Sequence, residues 1–163
     1  MTEQPQPHRN VARVTQAAAE AGLRIEVVRF AEETRTAEDA ARAVGCSVGQ
    51  IVKSLVFVAD GQPVLALVSG DHRLDTGRLG TALQAAEVRR ASGDEARAAT
   101  GFAIGGVPPI GHATSLPIVM DRHLLQHATV WAAAGLPDAV FEVDPHALAA
   151  ATTARVEEIA ADG

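Results

Sequence analysis

The chain has 163 residues, 47% of them hydrophobic, and a formal net charge of −6 at pH 7, which fits one domain with its own core rather than two of ordinary size. No apolar run approaches the roughly 18 residues that a membrane span requires, and the acidic balance argues against non-specific coating of DNA or another nucleic acid through a large basic face. The single cysteine, Cys46, excludes an intramolecular disulfide and is typical of a reducing cytoplasm.

The first third of the chain predicts a tail, two helices and one strand. Residues 1–10 are polar, contain prolines and lack the apolar core of a secretory signal, so we expect a disordered tail. Helical spacing of apolar residues predicts a helix over residues 11–22, and period-2 alternation predicts a half-buried strand over residues 23–30. Thr36, followed by acidic residues, predicts the start of a second helix that Gly45 ends.

Two apolar, β-rich runs over residues 51–59 and 63–69 flank the sequence Asp60-Gly61-Gln62. An Asp-Gly pair between such runs is a strong short-range hairpin signal. We therefore expect a hairpin of two central strands.

The remainder of the chain alternates short helices and strands around one loop. The pattern predicts a helix over 77–86, a strand near Val88, a helix from Ser92 to Gly101, strands over 116–121, 129–133 and 139–143, a helix over 146–152 and an acidic tail. Residues 102–112, with the sequence FAIGGVPPIGH, hold three glycines and two prolines and form a loop. Strands outnumber βαβ units, which favours an α+β domain with a mixed sheet over a doubly wound one.

Lys53 is the only lysine among the 14 basic residues, and it lies inside the predicted strand 51–59. Alternation places it on the face of Ile51, Leu55 and Phe57. Its stem can lie on apolar surface while the ammonium reaches water at the end of the strand. Alternatively, Lys53 has a functional role that a guanidinium could not fill, because an ammonium is compact and has three donors and an adjustable pKa. Both interpretations stay open on pattern alone.

Two adjacent glycines, Gly105 and Gly106, are the second candidate. They can present successive backbone N–H groups that form an anion-binding nest able to hold an oxyanion. A tight structural turn rigidified by Pro108 and Pro109 is the alternative. The spacing of the glycines matches neither a Walker A loop nor a dinucleotide fingerprint, so nucleotide-triphosphate and NAD sites lose support.

His123 and His127 are four residues apart, a spacing that can bring two imidazoles to one helix face for a metal ion. The glutamate of an HExxH motif is absent, and Asp71-His72 and Asp75 could add ligands only if the fold brings them near. Solvent-facing histidines are the favoured interpretation, so we expect no metal and no other cofactor.

Five segments around Lys53 and the glycine loop together resemble the YbaK/prolyl-tRNA synthetase-associated family of aminoacyl-tRNA editing domains. They are QIVKSLVF (50–57), RLD (73–75), TGFAIGGVPPIGH (100–112), LPIVMD (116–121) and TVWAAAG (129–135). The resemblance covers residues 11–159 and implies a single α+β (mixed α/β) domain with a curved mixed sheet of about six or seven strands around a pocket, surrounded by helices. It also implies hydrolysis of mischarged aminoacyl-tRNA in the cytoplasm, above all of proline tRNA carrying a small wrong amino acid.

The resemblance places the family's essential lysine at Lys53 and its catalytic-loop glycine at Gly105. Substrate contacts are implied at six further positions: Thr36, Ser54, Gly106, Pro108, His112 and Ala133. We expect Lys53 to hold the terminal phosphate or the ester carbonyl, and the two glycines to orient water or the oxyanion. Thr36 and Ser54 would contact the ribose or the amino acid. An aminoacyl ester is already activated, so its hydrolysis requires positioning and oxyanion stabilisation but no metal or serine triad.

Two departures from the cysteinyl-tRNA deacylases of the family concern the substrate. Those enzymes carry a GGxSP loop, and this chain has Pro108 in place of the serine. Their pocket serine and a later aspartate correspond to Ala133 and Val140. These changes imply a smaller, apolar pocket and a substrate other than cysteinyl-tRNA.

The net charge of −6 limits the expected tRNA contact to the acceptor end, in weak and salt-sensitive binding, with prolyl-tRNA synthetase as a candidate carrier. Two alternatives remain. A catalytically silent module that binds aminoacyl-tRNA or a synthetase would explain the altered pocket. A metal hydrolase would use His72, Asp75, His123 and His127.

Overall fold

A computed structural model gives the structure of residues 8–30 and 36–161. Within these residues lie five α-helices and eight β-strands. The helices are α1 (Arg9–Glu20), α2 (Ala37–Val44), α3 (Thr76–Leu83), α4 (Gly93–Thr100) and α5 (Pro145–Thr152). The strands are β1 (Val27–Arg29), β2 (Val52–Ala59), β3 (Gln62–Ser69), β4 (Val88–Arg90), β5 (Ile118–Asp121), β6 (Val130–Ala133), β7 (Ala139–Val143) and β8 (Arg155–Glu157). None of the helices described is both long and apolar enough to cross a membrane.

The strands form two sheets, one of five strands in the order β4-β2-β3-β5-β8 and one of three in the order β1-β7-β6. In the larger sheet β2 pairs antiparallel with β3 and β4, whereas β5 pairs parallel with β3 and β8. A parallel bridge between Ile51 and Trp131 connects the start of β2 to β6. The predicted α+β class with a mixed sheet is confirmed, with the strands divided between two sheets.

The hairpin predicted from Asp60-Gly61 is the centre of the larger sheet. Asp60 and Gly61 both have positive φ, 48° and 82°, which is the backbone of a type I′ turn whose twist matches that of the flanking strands. The ladder runs without interruption from Ala59↔Gln62 to Val52↔Ser69. The turn signal therefore fixes the register of the whole hairpin.

The two faces of this hairpin pack against different partners because side chains alternate along each strand. Val56 and Leu67 share one core cluster with Phe141 of β7 and Val14 of α1, so the two sheets and α1 bury a common interior. The opposite face packs beneath α3, mainly through residues such as Phe57, Ala66 and Leu79. Both faces of β2 and β3 are thus covered.

Local signals at three helix ends are confirmed. The hydroxyl of Thr36 accepts from the amide of Asp39 at the start of α2, and Gly45 ends α2 with a left-handed φ of 76°. Ser92 and Glu95 form a reciprocal capping box on α4. These ends depend only on residues within one turn, which is why the sequence reveals them.

Four boundaries differ from the prediction. The burial of residues 23–28 alternates as expected, but only Val27–Arg29 is paired with β7. α3 ends at Leu83, where Gln84 adopts φ 56°. The acidic tail expected after α5 is wrong at Arg155–Glu157, which forms an edge strand beside β5; charged residues are common on such edges. α1 begins at Arg9, and residues 1–7 of the predicted tail lie outside the described residues.

Replacement of Phe141 tests the shared interior. Phe141 is fully buried, and it pairs with Val27 on one side and Ala132 on the other. We expect Phe141→Ala to lower the free energy of unfolding by about 3–5 kcal/mol through lost burial and cavity formation. Urea unfolding measures the change. Val28→Ala is the control, since Val28 is 40% exposed and should change stability by less than about 0.5 kcal/mol; equal effects of the two substitutions would contradict the packing described.

Candidate functional site

A cavity of about 320 Å³ opens beside the first half of β2. It exists because β4 pairs only with residues 57–59 of β2, so the same edge has no strand partner at residues 53–55. The wall is completed by the N-terminal end of α2, the 102–107 loop and the ends of β6 and β7. The cavity therefore lies between the two sheets at an incompletely paired strand edge.

The charged side chains in the described wall of this cavity are Lys53 and Arg90, and both are cationic. The hydroxyls of Thr36 and Ser54 are also in the wall, and the other lining side chains are mainly aliphatic. Such a wall suits a ligand that combines a negative charge or a polarised oxygen with a small apolar group.

The Lys53 ammonium is held in the cavity wall by the backbone. It is partly buried and donates a hydrogen bond to the carbonyl oxygen of His72. Burial lowers the pKa of Lys53, and the nearby carboxylates of Glu38 and Asp71 oppose that shift. Because an ammonium carries three N–H donors, one bond to His72 leaves two for a ligand. This placement favours the functional interpretation of Lys53.

Ser54 contributes an unsatisfied hydroxyl to the same wall. Its Oγ is inaccessible to solvent and has no hydrogen-bond partner. A buried polar group without a partner is costly and rare in folded proteins. The hydroxyl therefore retains hydrogen-bonding capacity that the described structure does not use.

The two loop glycines have different environments. Gly105 lines the cavity with φ 96°, a left-handed conformation that favours glycine, and is exposed. Gly106 is buried, and its amide donates to the carbonyl of Ala103 at 3.0 Å. A Cβ on Gly106 would lie 2.9 Å from the carbonyl oxygen of Gly135, so only glycine permits this close approach to the β6–β7 connection. Only Gly105 of the expected pair faces the cavity, and the Gly106 amide serves the loop itself.

Pro108 and His112 lie behind the loop rather than in the cavity wall. Pro108 is buried, and its carbonyl is 2.7 Å from Nε2 of His112. Burial lowers the pKa of His112, and the hydrogen bond to Pro108 offsets this only in part. The neutral imidazole therefore donates to Pro108 and fixes the loop.

The remaining predicted residues, Thr36 and Ala133, both line the cavity. Ala133 and Val140, which replace the polar pocket pair of the cysteinyl-tRNA deacylases, are direct cross-strand partners in the wall. Sequence reasoning missed Trp131 and Ile104, which also line it. Trp131 is the single tryptophan of the chain and lies in a predicted strand, which is the signal that could have identified it.

The predicted histidine and aspartate set is only partly assembled. The rings of His72 and His123 are 4.0 Å apart between centroids, and Asp71 lies beside them. Asp75 instead caps α3 by accepting from the amide of Arg78 at 3.1 Å. The His127 ring contacts His123 at 6.0 Å in a T-shaped arrangement. Lys53 is linked to this set by its hydrogen bond to the backbone carbonyl of His72 and by the nearby carboxylate of Asp71, which opposes the lowering of its pKa.

Together these features define an α+β domain with a largely apolar cavity whose described charged side chains are both cationic. The sequence profile of the family described as "Aminoacyl-tRNA editing domain" matches residues 31–151. The chain therefore belongs to the aminoacyl-tRNA editing domain family.

Three comparisons illustrate its relatives. A crystal structure of a protein proposed to be a trans-editing enzyme for prolyl tRNA synthetase has a TM-score of 0.91 at 45% identity, covering 96% of this chain and 100% of that one. The uncharacterized protein YwhH of Bacillus subtilis is 32% identical over 124 residues, 76% of this chain and 78% of YwhH. The proline--tRNA ligase of Elusimicrobium minutum is 40% identical over 95 residues, 58% of this chain. The matched region is only 16% of the ligase.

Ser54 and Ser69 provide a matched test of the unsatisfied hydroxyl. Ser69 is fully buried and donates to the carbonyl of Gly49 at 2.7 Å, so Ser69→Ala should lower the free energy of unfolding by about 1–3 kcal/mol. Ser54→Ala removes a hydroxyl without a partner and should leave stability unchanged or raise it. Urea unfolding compares the two variants, and a loss at Ser54 as large as that at Ser69 would contradict the assignment.

The low pKa of His112 predicts a pH dependence of stability. The unfolded imidazole binds a proton more readily than the buried one, so the contribution of His112 is present above about pH 6.5 and is lost as the pH falls through the lowered folded value. We expect His112→Asn to reduce the slope of unfolding free energy against pH below about 6.5. Denaturant titrations from pH 5 to 8 measure the slope. The same slope in both proteins would contradict the prediction.

Proposed function

We propose that this protein is an aminoacyl-tRNA deacylase that acts in trans and hydrolyses the ester of mischarged tRNA. The observation that carries the proposal is the combination in one cavity of two cations, Lys53 and Arg90, with the unpartnered hydroxyl of Ser54 and an aliphatic floor. The end of an aminoacyl-tRNA presents the complementary groups: a phosphate, ribose hydroxyls, an ester carbonyl and an amino-acid side chain.

Each polar group of the wall has a role in holding that end. The two free donors of Lys53 bind the terminal phosphate or the ester carbonyl as a point charge, and the bond to His72 fixes the ammonium. Ser54 and Thr36 contact the ribose or the amino acid. Gly105, at the rim of the cavity, leaves room for the ester and for water beside the loop backbone.

Hydrolysis then proceeds by attack of a positioned water on the ester carbonyl. The carbonyl oxygen becomes negative in the tetrahedral intermediate, and a cation within reach stabilises it. The intermediate collapses by breaking the bond to the ribose oxygen, which takes up the proton that the water has lost. The products are the free amino acid and the uncharged tRNA, and the chain contributes positioning and electrostatics.

Proline tRNA that carries a small wrong amino acid is the proposed substrate, and the cytoplasm the proposed location. Support comes from the apolar pair Ala133 and Val140 in the cavity wall, which offers no polar partner to a serine or cysteine side chain. The relatives include proline–tRNA ligases and a structure named for trans-editing. A prolyl-tRNA synthetase is therefore the proposed partner in delivery of the tRNA.

Contact with the tRNA is confined to its acceptor end. Arg90 lines the cavity, whereas both terminal nitrogens of neighbouring Arg89 are 2.8 Å from the carboxylate of Glu95. With a net charge of −6 the rest of the chain offers little attraction to a phosphate backbone. Binding therefore depends on a few cation–phosphate contacts at the cavity, and affinity should fall as salt concentration rises.

Lys53→Ala tests the proposal. We expect deacylation of mischarged proline tRNA to slow by about 100-fold or more, the scale of losing one oxyanion-stabilising donor. Single-turnover hydrolysis of alanyl-, cysteinyl-, seryl- and threonyl-tRNA, compared with prolyl-tRNA, measures the rates. Lys53→Met keeps an apolar stem and removes a partly buried charge whose pKa burial lowers, so it should also be slow while remaining folded.

Arg89→Ala is the matched control, because the Arg89 guanidinium is engaged with Glu95 outside the cavity. Its rate should stay close to that of the parent. Fluorescence of Trp131 in the cavity wall reports ligand binding separately from hydrolysis. Equal rates for the parent and Lys53→Ala would reject the mechanism, and a parent that lengthens the lifetime of the ester would identify a silent binding module instead.

A further inference from the structure

A second group of chemically active side chains lies outside the cavity. Asp71, His72 and His123 each offer a ligand atom, and these atoms lie within 4.8 Å of one another. The three side chains are at the surface or partly buried, and both histidines border an open groove through which an ion can enter. Neither the cavity wall nor the proposed hydrolysis uses them.

One buried carboxylate contacts the ring of one histidine and the backbone of the other. Asp121, whose side chain is 3% exposed, has Oδ2 at 2.9 Å from Nδ1 of His72. Its Oδ1 accepts from the backbone amide of His123 at 3.0 Å. With Nδ1 of His72 donating to Asp121, Nε2 is the unprotonated nitrogen that is available to a metal. A carboxylate behind a ligating histidine is the usual second layer of a metal site.

Asp71 is held in position by a separate contact. Its Oδ1 lies 2.8 Å from the hydroxyl of Ser69, and a Cβ at Gly49 would lie only 2.9 Å from its Oδ2, so glycine at that position makes room for the carboxylate. Gln126, an exposed residue, has its amide 2.6 Å from Nε2 of His123, and this side chain can swing away when an ion binds.

From this geometry we propose that Asp71, His72 and His123 form a binding site for a divalent transition-metal ion, Zn²⁺ in particular. Two imidazoles and one carboxylate are a donor set that zinc accepts with water as the fourth ligand. Zinc–ligand bonds of about 2.0–2.2 Å require the three donors to close by roughly 1 Å or more from their present spacing, which rotation of the side chains supplies.

The position of the site indicates a structural role. The backbone carbonyl of His72 accepts from the Lys53 ammonium, while the ring of the same residue faces the metal ligands. An ion on this ring would fix the segment that holds Lys53 without entering the cavity. The inference stands independently of deacylation, because it concerns only the affinity of the free protein for the ion.

Zinc titration of the full, tag-free chain against a chromophoric chelator tests the site. We expect one Zn²⁺ per chain, with affinity at least tenfold weaker in His72→Ala and in His123→Ala. Asp121→Asn should weaken binding by about 10–100-fold, the usual effect of removing a second-layer carboxylate. Co²⁺ in place of Zn²⁺ should give visible absorption bands that disappear in the same variants.

His146→Ala is the matched control, since His146 is an exposed histidine of α5, outside the cluster of ligand atoms. It should bind Zn²⁺ as the parent does. Circular dichroism without metal confirms that each variant is folded. If a histidine variant does not fold, Asp71→Asn, which changes the exposed ligand, replaces it in the titration. The site is rejected if the parent binds Zn²⁺ no more tightly than the folded ligand variants, or if His146→Ala weakens binding equally.

Discussion

The position and shape of the cavity follow from the incomplete pairing of β2. One edge of β2 is bonded along its whole length to β3. The other edge is bridged to Trp131 at its start and paired with β4 only at its end, and the intervening gap opens into the cavity. An unpaired strand edge is normally a liability; here α2, the glycine loop and the smaller sheet close over it and turn it into a site.

The cavity wall contains groups that lower the stability of the fold, and the well-packed β2–β3 hairpin compensates for them. Ser54 has a buried hydroxyl without a partner, Lys53 has a partly desolvated ammonium, and Gly106 lies against backbone that excludes any Cβ. The buried hydroxyl and the partly desolvated ammonium cost stability unless a ligand or a neighbour compensates. The fully buried residues of the β2–β3 ladder, including Leu65 and Leu67, supply the stability that lets these groups persist together.

Local sequence signals predicted the elements, and pairing between distant segments decided the details of the site. The Thr36 cap, the Asp60-Gly61 turn and the Ser92 capping box each depend on neighbouring residues, so they could be found without a fold. β8 could not, because Arg155–Glu157 is polar and becomes a strand only beside β5. The roles of His112 and Gly106 could not be predicted either, because both depend on the residues that pack behind the 102–107 loop.

Periodicity and short motifs predict the α+β class and the hairpin and carry the resemblance that singled out Lys53, because both are properties of contiguous residues. Contacts between distant segments determine that the Lys53 ammonium donates to the backbone of His72 and that Arg90 lines the same cavity. They also bring Asp121 to the ring of His72 and to the backbone amide of His123, 51 residues further along the chain. These relations join strands and loops remote in the chain. They depend on which strand edges pair and which remain unpaired, and the pattern of neighbouring residues does not predict that pairing.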